Sequence, residues 1–131
     1  MTTVDRCRVV PYLLYADVEA ALAFLGGAFG FSERLRVPAP DGGVRHAEMN
    51  VPGGGLVMLG GAGADFLTPK KLGTRTQLVF VYVDDVDALH ARALAAGALI
   101  VSELDDRDYG RTFAAEDPEG HHWSFTSQGE A

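Results

Sequence analysis

The sequence predicts an α+β protein built from two tandem βαβββ modules. Three observations predict it: a repeat within the chain, an acidic helix cap after an apolar run in each copy, and turn-forming residues that divide the rest of each copy into short segments. Tyr15-Ala16-Asp17-Val18-Glu19-Ala20 lies over Val83-Asp84-Asp85-Val86-Asp87-Ala88 at an offset of 68 residues, and the glycines that follow, Gly30 and Gly97, are 67 apart. Read this way, the 131 residues form one domain, with a first module over 7–60, a linker over 61–75 and a second module over 76–128.

Each module opens on an apolar strand, Val9 to Leu14 and Leu78 to Val83. Asp17 and Asp85 come next, where a carboxylate accepts a bond from a first-turn N–H. The first helix is expected over Val18 to Phe29, with Val18, Ala21, Leu22 and Leu25 on one face and Gly30 free to take the left-handed stop. The second is expected over Val86 to Ala96, ended by Gly97. Strands follow at Phe31 to Val37, Arg45 to Val51 and Leu56 to Leu59, separated by turns at Pro40-Asp41-Gly42-Gly43 and Pro52-Gly53-Gly54-Gly55. In the second copy they fall at Leu99 to Glu103, Arg111 to Ala115 and His122 to Thr126, around a loop at Asp105 to Asp108 and a turn at Asp117-Pro118-Glu119-Gly120. The linker, Gly60 to Arg75, carries Phe66-Leu67 and is expected to pack over a sheet edge or against a partner chain.

Composition narrows the class. A chain of this length buries roughly 68% of its unfolded surface, enough for a core without staples. Cys7 is the only cysteine, so neither an intrachain disulfide nor a Cys-x-x-Cys site can form, which fits a reducing compartment. The first eight residues lack the apolar run of a signal peptide, and no segment reaches the length of a membrane span, so the expected location is cytoplasmic. A net charge of −7, with pI ≈ 4.9, disfavours nucleic acid and anionic membranes. No Gly-x-Ser-x-Gly elbow or phosphate-binding Gly-Lys-Ser/Thr loop is present.

Tyr15-x-Asp17-Val18-x-x-Ala21-x-x-Phe24 with Phe29-Gly30-Phe31, and Asp117-Pro118-Glu119-Gly120-His121-x-Trp123-x-Phe125, resemble the glyoxalase/bleomycin resistance/extradiol dioxygenase (vicinal oxygen chelate) superfamily over about residues 7 to 127. The resemblance implies two curved mixed sheets around a cleft, commonly in a homodimer, and in metal-dependent members one ligand from each of four strands. The equivalent positions are Val10, Met58, Leu78 and Ser124. A valine, a leucine, a thioether and a neutral hydroxyl do not make a divalent-metal site, so the chain reads as a member without the usual ligands and without a cofactor.

Strand alternation indicates what lines the cleft instead. In step with Leu78 are Phe80 and Tyr82, while Val79, Val81 and Val83 face the helices. The first strand offers Tyr12 and Leu14, the fourth Met58 and Leu56, the last His122 and Ser124. Ala47, Met49 and Val51 look core-facing, which puts His46, Glu48 and Asn50 on the opposite face, as a ligand-reaching set or simply a polar strand face. Tyr109 and Arg111 could stack on a planar ligand or hold a carboxylate; ion pairs from the arginines to Asp105 and Asp106 are the alternative. Trp123, Phe24, Phe29 and Phe31 read as core, His121 as solvent-facing, and His90 as lying on the exposed side of its helix without a role.

The candidate ligand-binding residues are therefore Tyr12, His46, Glu48, Met58, Phe80, Tyr82, Tyr109, Arg111, His122 and Ser124. An aromatic pocket with a few polar groups suits a small molecule. The expected function is metal-independent binding of an aromatic or cationic antibiotic-like ligand. The alternatives are a lyase, isomerase or dioxygenase using a shifted metal set such as His46, Glu48 and His122, a metal-free catalyst with one of these as base, or a subunit that only pairs with another protein.

Overall fold

In the computed structural model, which describes residues 7–127, each half of the chain folds as strand, helix and three strands. The first module contains β1 (Tyr12–Tyr15), α1 (Val18–Phe29), β2 (Ser32–Pro38), β3 (Val44–Asn50) and β4 (Leu56–Gly61). A short helix, α2 (Pro69–Leu72), interrupts the linker. The second module contains β5 (Leu78–Val83), α3 (Val86–Ala95), β6 (Leu99–Arg107), β7 (Gly110–Glu116) and β8 (His122–Ser127). The expectations for residues 1–6, and Gln128 at the end of the second module, lie outside the described residues.

The repeat expected from the sequence is a repeat of topology. The sheets have the orders β1-β4-β3-β2 and β5-β8-β7-β6, each with one parallel pair, β1 with β4 and β5 with β8, and the rest antiparallel. Asp17 and Asp85 cap their helices alike, accepting from Ala20 N and Ala88 N at 3.0 Å. Gly30 stops α1 at φ 77, as a residue without a Cβ can.

One core serves both modules. Leu25, Ala28 and Phe29 of α1, Ala93 of α3, Leu59 of β4 and Phe113, Trp123 and Phe125 of the second sheet are buried in a single cluster. Phe29 lies 4.7 Å from Phe125 and 5.6 Å from Trp123, centroid to centroid. Because the helix-bearing faces of both sheets feed this core, the opposite, outer faces of the two sheets do not close on one another within one chain.

A second joint lies at the turn Asp117-Pro118-Glu119-Gly120. Asp117 accepts from the Tyr15 hydroxyl at 2.6 Å and from Trp123 Nε1 at 3.1 Å. Glu119 accepts from the backbone of Ala16 and Asp17, and its own carbonyl accepts from Lys70 N. His121 is half-buried rather than solvent-facing: its Nε2 donates to the Leu14 carbonyl at 2.8 Å and its ring meets Tyr15 edge-on. The terminal motif thus ties the second module to the start of α1.

Three further local expectations differ from the structure. The first strand begins at Tyr12, leaving Val9 almost fully exposed and Val10 outside the ladder. Asp105 to Asp108 is not a loop; β6 continues to Arg107 and turns through Asp108 and Tyr109, with Gly110 at φ 138 closing the hairpin. Charged side chains suit this outermost strand, where pairs Arg107–Asp105 and Arg111–Asp106 hold them. His90 is largely covered, edge-on to Phe113 and 3.0 Å from Glu103. The linker packs as expected in part: Thr68 is buried, and Gly120 approaches Lys70 so closely that an added Cβ would sit 2.8 Å from its nitrogen.

Candidate functional site

The register of β1, β3 and β4 brings Tyr12, Met58 and Glu48 into one row across the first sheet, with His46 and Gly60 in the next. All face away from α1, because Leu13, Ala47, Met49, Val57 and Leu59 occupy the alternate, buried positions. Tyr12 Oη lies 2.8 Å from His46 Nδ1, His46 Nε2 lies 3.0 Å from Glu48 Oε2, and Arg34 Nη1 donates to Glu48 Oε1 at 2.7 Å. Four side chains from three strands form one continuous hydrogen-bond chain. Arg34 escapes strict alternation because β2 carries a register shift between Glu33 and Leu35. Gly60 makes room for the tyrosine ring: a Cβ there would meet Tyr12 at 2.6 Å.

The outer face of the second sheet is apolar along β5. Leu78, Phe80 and Tyr82 alternate with the inward Val79, Val81 and Val83, and all three remain exposed, as does Tyr109. Phe80 meets Tyr82 edge-on at 5.2 Å and Tyr109 at 6.3 Å. Ser124 pairs with Phe80 and His122 with Leu78 on this face. Thr112 and Thr126, in register with Tyr82 on the same face, are buried and join hydroxyls at 2.8 Å. Arg75, from the linker, donates to His122 Nδ1 at 3.1 Å and pairs with Glu116 at 3.0 Å. Burial, and then the Arg75 charge, hold the His122 imidazole below its ordinary value.

The candidate residues therefore divide. Tyr12, His46, Glu48 and Met58 share the first sheet's outer face; Phe80, Tyr82, Tyr109, His122 and Ser124 share the second's. Arg111 joins neither, because it lies on the helix-facing step of β7, bonded to Asp87 of α3 and to Asp106. Those two bonds raise its pKa. His46, Glu48 and His122 do not meet either; among the described residues no group of three or more His, Cys, Asp or Glu is placed to hold a metal. Of the four positions that the resemblance assigns to ligands, Val10 lies outside β1, Leu78 is apolar, and Met58 and Ser124, opposite Tyr12 and Phe80, offer only a thioether and a hydroxyl, a set that does not suit a divalent ion. Sequence reasoning does not single out Arg34, Gly60 or Arg75. The bulge hides the first, and the linker has no periodicity to place the last.

The chain matches the family model of the Glyoxalase/Bleomycin resistance protein/Dioxygenase superfamily over residues 4–125. It belongs to that superfamily. Among solved structures of the superfamily fold, TioX from Micromonospora sp. ML1 is 40% identical, with a TM-score of 0.76 over 92% of this chain and 97% of that one. TnmS3 of Streptomyces sp. CB03234, an antibiotic binding protein, is 20% identical with a TM-score of 0.71, covering 92% of this chain and 93% of its own. FosX of Listeria monocytogenes, a fosfomycin resistance protein solved with Mn(II), is 17% identical with a TM-score of 0.68, covering 92% and 89%. These last two superfamily members share the fold alone. The Mycobacterium tuberculosis protein Rv0887c is 39% identical over 120 residues, 87% of this chain and 70% of its own length.

Proposed function

We propose that this protein binds a small aromatic molecule without a metal, in clefts that two copies of the chain complete together. The observation that carries the reading is the outer face of the second sheet. Leu78, Phe80, Tyr82 and Tyr109 form an apolar surface that stays exposed among the described residues, and such patches mark binding surfaces. The other outer face supplies polar groups on an otherwise apolar floor, the combination that fixes the orientation of a buried ligand. In a two-fold dimer the second sheet of one copy would lie over the first sheet of the other, closing two identical clefts. Tyr12, His46, Glu48 and Met58 would line one wall, and Phe80, Tyr82, Tyr109, His122 and Ser124 the other.

The non-ligating set at Val10, Met58, Leu78 and Ser124 separates this reading from the metal-dependent chemistry of the superfamily. An antibiotic binding protein with the same fold fits an antibiotic as the ligand, the exposed aromatic side chains of β5 fit an aromatic one, and the lone cysteine and acidic charge fit a cytoplasmic sequestering role. The test is a titration of chelator-treated protein with a panel of aromatic antibiotics, followed by tyrosine fluorescence and sedimentation. Saturable quenching by at least one compound, weakened by Phe80→Ala, in a dimeric protein is expected. A monomer whose fluorescence no compound perturbs would refute the proposal.

A further inference from the structure

The hydrogen-bond chain on the first sheet has a direction. Arg34 can only donate, and the Glu48 carboxylate between Arg34 and His46 can only accept. A proton therefore resides on His46 Nε2. In the neutral imidazole the second nitrogen, Nδ1, is an acceptor, so the Tyr12 hydroxyl donates to it across 2.8 Å. Tyr12 has only that one hydrogen to give. Its oxygen, on a half-exposed ring laid over Gly60, is left with acceptor capacity and no donor among the described residues.

We propose that this chain makes Tyr12 an acceptor-only contact, and so selects aromatic ligands that carry a hydrogen-bond donor, such as a phenolic hydroxyl or a ring N–H, over isosteres that cannot donate. The inference rests on the proposed pocket and names the chemistry it prefers. Glu48 acts as a positioning residue: it sets the imidazole tautomer, and the tautomer sets what Tyr12 offers. An isostere without a donor would leave the Tyr12 oxygen desolvated and unmatched, which is the physical source of the discrimination.

The test uses two probes of nearly equal shape, 2-naphthol and 2-methoxynaphthalene, with the full chain in mildly alkaline buffer. The wild-type protein is expected to bind the naphthol about tenfold more tightly. Tyr12→Phe should bring the ratio of the two affinities to about one. Glu48→Gln should reverse it: the carboxamide oxygen introduced there takes the bond from Arg34, and the amide nitrogen donates to His46 Nε2. The imidazole then donates from Nδ1 to Tyr12, and the hydroxyl is freed to donate to the ether. A purely structural role for Glu48 would not invert a preference. Because each ratio is internal to one variant, partial misfolding does not alter it. Equal affinities in the wild type, or an unchanged ratio in either variant, would overturn the inference and leave the pocket standing. Failure of both probes to bind would overturn the pocket and the inference together.

Discussion

The Tyr15 hydroxyl donates to the Asp117 carboxylate across 2.6 Å, joining residues 102 positions apart and linking the first strand of one module to the last turn of the other. Asp117 is otherwise held by Trp123 Nε1 and by the backbone N–H groups of Glu119 and His121. Tyr15→Phe keeps the ring and removes only this bond. A buried hydrogen bond to a charged group is worth about 1.5 to 3 kcal/mol, and chemical denaturation should register a loss of that order.

The same pair contributes to stability on the alkaline side. Burial, reinforced by the Asp117 charge and hydrogen bond, raises the Tyr15 phenol well above its ordinary value. The unfolded chain releases that proton near pH 10 while the folded chain keeps it, so the contribution is fully present below about pH 10 and is lost as pH rises toward the raised value. Melting temperature followed from pH 8 upward should fall more steeply for wild type than for Tyr15→Phe.

His122 acts at the other end of the scale. Its value is lowered by burial and by Arg75, so on acidification the unfolded chain takes the proton first. Stability is lost as pH falls from about 6.5 toward the lowered folded value. His122→Asn should flatten that part of the acid limb, as measured by thermal melting at matched ionic strength.

Gly60→Ala tests the seat of Tyr12. The strand backbone there accepts alanine, and the new Cβ meets only the far end of an exposed ring. The variant should fold with near-native stability while Tyr12 swings away from His46, giving a reduced preference for 2-naphthol over its methyl ether.

Much of the fold is legible because each local signal agrees with the next. The caps Asp17 and Asp85, the stop at Gly30 and the Val79-Val81-Val83 triplet define both helices and the two faces of β5 without any tertiary contact. What escapes depends on pairing rather than pattern. The shift at Arg34 breaks the alternation that would have placed it. The long β6 hairpin gains its strand pairing from β7, although its own sequence, Asp105-Asp106-Arg107, reads as a loop. His121 reads as solvent-facing because its acceptor, the Leu14 carbonyl, belongs to the other module. Arg111 reads as a ligand contact or as a partner of the nearby aspartates; Asp106 is that partner, while Asp87 escapes notice because it lies 24 residues earlier.

Phe80→Ala combined with Tyr82→Ala trims the apolar surface proposed to lie against a second copy, while leaving the inward valines and the shared core in place. Sedimentation should show a weaker dimer, and ligand affinity should fall with it, since fewer aromatic contacts remain at the centre of the interface.

Metal independence of the pocket is tested most directly by thermal melting of chelator-stripped protein with Mn, Fe(II), Co, Ni or Zn, and separately with an aromatic ligand, since whatever binds only the folded state raises stability by RT ln(1 + [L]/Kd). An unchanged melting temperature with every metal and a rise with the aromatic ligand alone are expected. A clear rise with one metal, abolished by His46→Ala, Glu48→Ala or His122→Ala, would contradict metal independence.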